Sequence, residues 1–293
     1  MERSVDIVCV IDACSLIRLI RIDEDEFLIK RLRRLRLFIT EFVFNEVREN
    51  LTSSLYKSNL SKSDKDYFAF IWTTKLDYFR KNLIEDSVIY KDVGEDFYEQ
   101  VKALSGYKKR DNGELRSVSL ALYLSRLEPT KVFFHTDDFP AKTTFEPFFI
   151  FQQIGAIEDS VDLLILLYRL DDEFLDNDLD NYLSSLLNEY ASEVKELRNK
   201  LEEYYEQYTG NDRQIRTNLR DLIHKLNAND FKNINVIKEL LLIKKKKLPN
   251  ITNVFTAYKD VFLLETPGSN AVDKISFIRK KLNTIFCLWK ATG

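Results

Sequence analysis

The stretch of sequence that decides the fold is Ile7-Val8-Cys9-Val10-Ile11-Asp12, an apolar run that ends in a carboxylic acid. Short, mostly β-branched apolar runs are typical of the central strands of a parallel sheet, which are buried on both faces. Up to about residue 170, further short apolar runs alternate with amphipathic stretches. This alternation predicts an α/β domain built on a parallel sheet.

The elements around this first strand are predicted from hydrophobic periodicity and from capping residues. Thr40 has the side chain of a helix N-cap, and Asp111 or Asn112 can cap a helix that begins at Gly113. Further strands are predicted over residues 35–39, 87–90, 132–135 and 148–151, and helices over residues 64–81, 95–104, 113–127 and 159–170.

The chain changes character near residue 170. An acidic stretch begins with Asp171-Asp172-Glu173, and the sequence beyond it has the pattern of a mainly α-helical region. We therefore expect two domains, residues 1–170 and residues 171–293. Apolar and tyrosine side chains recur at spacings of three and four along residues 183–208, the pattern of a coiled coil or a helical hairpin. An internal helix pair is favoured, and a homodimer formed through these helices is the alternative.

Composition excludes several classes of protein. The formal net charge of −3 rules out a globally basic protein that wraps nucleic acid, although basic runs occur at residues 108–110 and 244–247. Three cysteines without a CxxC spacing, together with only two histidines, exclude a disulfide framework or a structural zinc site. The sequence has no signal-peptide pattern and no apolar run long enough for a bilayer, which predicts a cytoplasmic protein without a membrane segment.

Two aspartates follow apolar strands of the predicted sheet. Asp12 follows residues 7–11, and Asp137 comes soon after residues 132–134. Functional groups in open parallel sheets gather outside the carboxyl ends of the strands, so we expect both side chains at one edge. Mg²⁺ and Mn²⁺ prefer carboxylate oxygen and water as ligands, which makes this edge a candidate cation site. A single strand-end aspartate is more often a solvated residue that starts a loop.

Four segments that carry acidic residues resemble, in order along the chain, the motifs of PIN domains. The resemblance covers roughly residues 5–170, and the ordered set is more specific than any one motif. A fifth segment, residues 148–155, resembles the last strand and turn of the family. The four acidic segments are residues 10–17 with Asp12, residues 39–47 with Glu46, residues 111–122 with Glu114, and residues 134–138 with Asp137.

The resemblance implies a Rossmann-like parallel sheet of order 3-2-1-4-5 and a Mg²⁺- or Mn²⁺-dependent nuclease, with RNA more than DNA as its substrate. Asp111 resembles the start of the third motif, where it is a metal candidate or only a helix cap. The catalytic residues carried over from the family are Asp12, Glu46, Glu114 and Asp137, and the metal ligands are Asp12, Glu114, Asp137 and Asp138.

Residues beside the acids are candidates for contacts with substrate. Ser15 and Thr136 carry hydroxyls that orient water or phosphate, or that satisfy turn amides. In many family members the second residue after the first aspartate is Asn or Ser, whereas Cys14 stands there in this chain. Three basic side chains ahead of the predicted helix are placed to meet substrate phosphates: Lys108, Lys109 and Arg110.

The sequence fits two other classes of protein with an aspartate after the first strand less well. A phosphatase of the haloacid dehalogenase type would have a second aspartate where Cys14 stands, and a receiver domain would have a lysine after a late strand. A catalytically silent PIN-like scaffold that binds nucleic acid or a protein is the alternative that stays open. Resemblance to standalone PIN nucleases implies a toxin or anti-phage effector, with an inhibitory or complex-forming partner bound by the C-terminal helices.

Overall fold

The structure is a computed structural model and describes residues 7–58, 60–84, 95–107, 112–127, 130–210, 212–227 and 271–282. The chain groups into two compact units. Described residues up to Tyr182 belong to the first unit, and those from Leu183 onward belong to the second.

The first unit contains a five-stranded parallel sheet. Its strands are β1 (Val8–Ile11), β2 (Arg36–Thr40), β3 (Leu83–Ile84), β4 (Val132–His135) and β5 (Gly155–Glu158). Their spatial order is 3-2-1-4-5, which confirms the predicted α/β class and strand order. β1 lies at the centre, where Val10 pairs with Phe38 of β2 on one side and with Phe134 of β4 on the other.

Helices connect these strands, as the right-handed crossovers of a parallel sheet require. Thr40 caps the helix after β2 as predicted, because its hydroxyl oxygen accepts a hydrogen bond from the Val43 amide at 3.2 Å. The helices of the first unit are α1 (Ala13–Ile22), α2 (Phe27–Leu32), α3 (Glu41–Lys57), α4 (Lys62–Asp77), α5 (Glu95–Leu104), α6 (Gly113–Leu127), α7 (Phe139–Gln152) and α8 (Ser160–Leu170), with a short 3-10 helix at Arg80–Asn82.

The core lies on both faces of the sheet. Val8 and Val10 of β1 point to one face, where they join a cluster that includes Val118 of α6 and Phe145 of α7. The alternate residues of β1, such as Ile11, point to the opposite face because side chains alternate along a strand. Ile11 is also fully buried. The central strand is therefore covered on both sides, as its unbroken apolar run predicts.

One predicted strand is wrong. Residues 148–151 form the last turns of α7, and the fifth strand is Gly155–Glu158. Phe148 and Phe149 are buried, whereas Ile150 and Phe151 are 71% and 77% exposed, which is the periodicity of a helix. A second predicted strand, residues 87–90, lies outside the described residues, and the strand beside β2 is Leu83–Ile84.

The first unit extends past the domain boundary expected at residue 170. Phe174 is fully buried, and its ring makes edge contacts with Phe27, Tyr168 and Tyr182, with centroids 5.7, 6.3 and 5.9 Å away. Asp171 also pairs with Arg31 of α2 at 3.0 Å. The acidic stretch thus packs on the first unit, which accounts for the position of the boundary after Tyr182.

Described residues of the second unit are mainly helical. Its helices are the part of α9 (Asp176–Gln207) from Leu183 on, α10 (Arg213–Asn227) and α11 (Ala271–Leu282). Arg198 of α9 donates to Asn227 at the end of α10, while Arg216 donates to the Tyr208 carbonyl just after α9. The two helices therefore run antiparallel, as expected for an internal pair. None of the helices within the described ranges is both long and apolar enough to cross a bilayer.

Candidate metal centre

Asp12 is delivered to the carboxyl edge of the sheet by the central strand. Its backbone amide continues the pairing of β1 with β4 by donating to the His135 carbonyl at 2.9 Å. It stands at the N-cap of α1, yet its side chain accepts no capping hydrogen bond. Instead, Asp12 Oδ2 accepts from the Thr136 hydroxyl at 3.1 Å and from the Cys14 thiol at 3.4 Å. The carboxylate is therefore oriented by side chains of the sheet edge.

Glu46 of α3 meets Asp12 at the first residue of α6. A methyl group placed on Gly113 would lie 2.7 Å from Glu46 Oε2 and 3.5 Å from Asp12 Oδ1. Both carboxylates therefore lie against the same backbone position. The absence of a side chain at Gly113 leaves the space between them unfilled, so that Asp12 and Glu46, 34 positions apart in the sequence, are brought together as predicted.

Electrostatics show that Glu114 belongs to the same group. Burial, the charge of Glu114 and, less strongly, the charge of Glu46 together raise the pKa of Asp12 to about 7, against hydrogen bonds from the Ala13 amide and Cys14. Asp12 is only 4% exposed, so water screens these repulsions poorly. Carboxylates packed in this way repel one another unless a proton or a cation neutralises them.

Glu114 lies in the first turn of α6, and two neighbours hold it. The Tyr107 hydroxyl donates to Glu114 Oε2 at 2.6 Å, and the Asn112 amide donates to the same oxygen at 3.2 Å. Asn112 also caps α6, because its Oδ1 accepts from the Leu115 amide at 3.1 Å. The sequence offered either Asp111 or Asn112 as the cap of this helix, and Asn112 makes it. Asp111 lies outside the described residues.

Asp137 is engaged in a different set of contacts, which does not support its predicted role as a core ligand. Its Oδ2 pairs with Arg18 of α1 at 3.2 Å and accepts from the Ser160 hydroxyl at 2.6 Å. Its Oδ1 accepts from the Ser160 amide at 3.0 Å. Burial would raise the pKa of Asp137, but Arg18 and the two Ser160 hydrogen bonds outweigh burial and lower it. Asp137 thus acts as a buried link between α1 and α8.

Asp138, the weaker candidate from the sequence, lies on the Tyr107 side of the group. Burial and the hydrogen bond to Glu114 raise the pKa of Tyr107, and the charge of Asp138 adds to that rise. Asp138 is 5% exposed and caps α7 by accepting from the Ala141 amide at 3.1 Å. Its own amide donates to the Thr136 hydroxyl oxygen, which in turn donates to Asp12. Thr136 therefore connects Asp12 and Asp138 directly.

The other predicted site residues either are buried or lie outside the described residues. Ser15 is fully buried, so its hydroxyl does not face a substrate in this structure, and Thr136, 1% exposed, orients Asp12 instead of contacting substrate. His135, at the end of β4, is a buried core residue. The three basic candidates for phosphate contacts, Lys108, Lys109 and Arg110, and the basic run at residues 244–247 lie outside the described residues.

Sequence reasoning missed three residues that shape the site. Tyr107 and Arg18 are not distinguished by any motif, since each acts on an acid that folding brings near. Gly113 precedes Glu114 in the third motif. Glycine is rare in this chain, with only seven in total, so a glycine inside a motif was a signal for a site residue. Glycine at a close approach of backbone to other groups is a known pattern.

The group fits a hard divalent cation by the chemistry of its donors and by the space at Gly113. All of the donors are carboxylates, which Mg²⁺ and Mn²⁺ favour. Among the described residues, however, no three His, Cys, Asp or Glu side chains stand close enough together to hold a metal ion as they are. Binding of a cation would therefore require these side chains to move closer together.

Comparison with protein families, curated proteins and solved structures finds no match to this chain.

Proposed function

We propose that the first unit is a divalent-metal-dependent nuclease of the PIN type that hydrolyses phosphodiester bonds, with RNA as its main substrate. One observation carries the proposal: Asp12, Glu46 and Glu114 lie near one another at the carboxyl edge of a 3-2-1-4-5 sheet, where burial and the charges of Glu114 and Glu46 raise the pKa of Asp12 to about 7. Such a site is stable at neutral pH only with a proton or a cation, and a cation is what the donor set suits.

The residues divide into ligands and supports. Asp12, Glu46 and Glu114 would hold Mg²⁺ or Mn²⁺, with Asp138 as the fourth acid in place of Asp137. Bound there, the cation would lower the pKa of a water and stabilise charge on a phosphodiester. Thr136 fixes Asp12 by its 3.1 Å hydrogen bond. The first turn of α6 lies at the positive end of the helix dipole, which favours phosphate oxygens.

A catalytically silent scaffold is the second candidate. The observation that favours it is the absence, among the described side chains, of three acids close enough to hold a cation. A scaffold of this kind would bind nucleic acid or a protein without cleaving it. It differs from the nuclease in predicting no response to divalent metal.

A cleavage assay separates the two candidates. Purified protein is incubated with total RNA, single-stranded DNA and duplex DNA, with Mn²⁺ and with EDTA. The nuclease proposal predicts metal-dependent cleavage of RNA that is lost in Asp12→Asn and Glu114→Gln. Asp221→Asn, which changes a half-exposed acid of α10, is the matched control and should cleave normally. Activity that survives EDTA, or that persists in both site variants, would refute the proposal.

The helical second unit is proposed to bind an inhibitory or complex-forming protein partner, or a second copy of the chain. Its antiparallel pair of helices offers an exposed polar face on α10, where Arg213, Arg216 and Arg220 lie. The proposal that the chain is a toxin or anti-phage effector inhibited by a partner rests on the resemblance alone. Light scattering of the purified chain tests the homodimer, since a monomeric mass at assay concentrations would rule out a homodimer.

A further inference from the structure

Packing of the Tyr107 ring holds its hydroxyl in the position from which it donates to Glu114. The side chain is 6% exposed, and its ring stacks on Phe145 of α7 with centroids 4.9 Å apart. The ring belongs to the same apolar cluster as the sheet face beneath it. The phenol therefore has little freedom to rotate away from the carboxylate that accepts its hydrogen bond.

Asn112 is held in one orientation by the helix that it caps. Its Oδ1 accepts from the Leu115 amide at 3.1 Å, so its NH₂ group must point the other way. That group lies 2.6 Å from the Tyr107 hydroxyl oxygen and 3.2 Å from Glu114 Oε2. Asn112 thus donates to both partners, and the three side chains form a closed triangle of hydrogen bonds.

Both donors act on the same oxygen of Glu114. Tyr107 and Asn112 both reach Oε2, at 2.6 and 3.2 Å, so this oxygen is held by one donor that is packed on Phe145 and by another that caps α6. The charge of Glu114 is felt at Asp12, which shows that the fixed carboxylate belongs to the acidic group.

We infer that Tyr107 and Asn112 are positioning residues, which keep the Glu114 carboxylate at the acidic group, where it would be one ligand of a divalent cation shared with Asp12 and Glu46. This inference rests on the proposed function, because it concerns the same cation site. Groups that hydrogen-bond to metal ligands orient those ligands, and their loss reduces metal affinity by roughly 10–100-fold. A purely structural role would instead tie residues 105–107 to α6 and would leave metal affinity unchanged.

The test is calorimetric titration of Mn²⁺ into the full chain, with no cleavage required. Tyr107→Phe removes only the hydroxyl and keeps the ring on Phe145. We expect Mn²⁺ affinity to fall by roughly 10-fold or more. Asn112→Ser keeps a side chain that can cap α6 but removes the amide donor, and it should weaken Mn²⁺ binding in the same direction.

A matched control is available in the same unit. Tyr168 is fully buried and donates to the carboxylate of Asp176, so Tyr168→Phe removes an equivalent bond away from the acidic group. This variant should bind Mn²⁺ as the unmodified protein does. Wild-type affinity in both Tyr107→Phe and Asn112→Ser would overturn the inference alone. Absence of Mn²⁺ binding by the unmodified protein would overturn the inference together with the proposed nuclease.

Discussion

Gly113 is the residue whose replacement tests the geometry of the acidic group most locally. A methyl group there would lie 2.7 Å from Glu46 Oε2, and that oxygen is the end of a flexible side chain. The carboxylate should therefore move away, and the buried Val43, whose Cγ2 would lie 3.0 Å from the methyl group, should shift by a few tenths of an ångström without loss of the fold. We expect Gly113→Ala to lower Mn²⁺ affinity by on the order of 10-fold, with a melting temperature close to that of the unmodified protein.

The control for this prediction is a double variant. In a Glu46→Ala background the added methyl group clashes with no carboxylate, because Asp12 Oδ1 lies at an ordinary contact distance of 3.5 Å, so Gly113→Ala should have little further effect on Mn²⁺ affinity. Residues in contact show such non-additive behaviour, whereas independent sites add. Equal effects of Gly113→Ala in both backgrounds would mean that the glycine acts through something other than Glu46.

Asp12 makes the stability of the metal-free protein depend on pH. Its pKa is raised to about 7 in the folded protein, so its neutral form contributes stability that is complete near pH 4 and lost as the pH rises through about 7. Each pKa unit corresponds to ~1.4 kcal/mol. In EDTA, Asp12→Asn should therefore raise the free energy of unfolding by on the order of 2–4 kcal/mol near pH 8.

Urea unfolding of both proteins across this pH range measures the effect. The gain from Asp12→Asn should shrink steadily as the pH falls towards 4. A variant that is less stable than the unmodified protein near pH 8 would show that the carboxylate of Asp12 is not under strain from burial and from Glu114.

At the scale of elements, one buried ion pair holds two helices together. Arg18 of α1 and Asp137, which also binds the first residue of α8, are 9% and 2% exposed in their side chains. Removing one partner of a buried pair leaves an uncompensated charge, at a cost of roughly 3–5 kcal/mol. We expect Asp137→Asn to lower the free energy of unfolding by this order, in EDTA as well as with Mn²⁺.

The pH dependence of this pair has the opposite sign to that of Asp12. Because the pKa of Asp137 is lowered, its contribution to stability is present above the ordinary aspartate range and is lost as the pH falls through the lower, folded value. Denaturant unfolding of Asp137→Asn near neutral pH is the measurement. Unchanged stability with loss of Mn²⁺ binding would restore Asp137 as a metal ligand.

The prediction of secondary structure failed where a short apolar run is compatible with both a buried strand and a helix. Residues 148–151 are all apolar, and periodicity over four residues cannot separate a buried strand from one turn of helix. The capping side chain of Asp138 fixes the start of α7, and the helix then continues through Pro147 to Gln152. A longer pattern was interpreted correctly, since α6 spans the predicted residues 113–127. The short run 132–135 forms β4 as predicted.

At the scale of the whole molecule, the sheet and the proximity of Glu46 and Glu114 to Asp12 could be predicted, whereas the partners of these acids could not. The order 3-2-1-4-5 was implied by the resemblance of the ordered motifs to PIN domains, and acids at strand and helix ends then lie at one edge. The choice of Arg18 and Ser160 as partners of Asp137 depends on packing between segments far apart in sequence. No local pattern encodes these contacts, so the sequence alone could not separate the surroundings of Asp137 from those of Asp138.

Phe174 tests where the first unit ends. Its fully buried ring contacts Phe27 and Tyr168, so Phe174→Ala should destabilise the first unit by roughly 3–5 kcal/mol. Hydrogen exchange measures this directly, because the amides of β1 should lose protection. Phe151→Ala, at a 77% exposed position, is the control. Unchanged protection of β1 in Phe174→Ala would place the boundary nearer residue 170.

The central claim is that acids distant in the sequence hold one divalent cation at the edge of the sheet. The most direct measurement is the melting temperature as a function of Mn²⁺ concentration for the unmodified protein, Asp12→Asn and Glu114→Gln. A ligand at a hundred times its dissociation constant stabilises the folded state by ~2.7 kcal/mol. We predict this gain for the unmodified protein and its loss in both variants. No gain in the unmodified protein, or the same gain in all three, would contradict the claim.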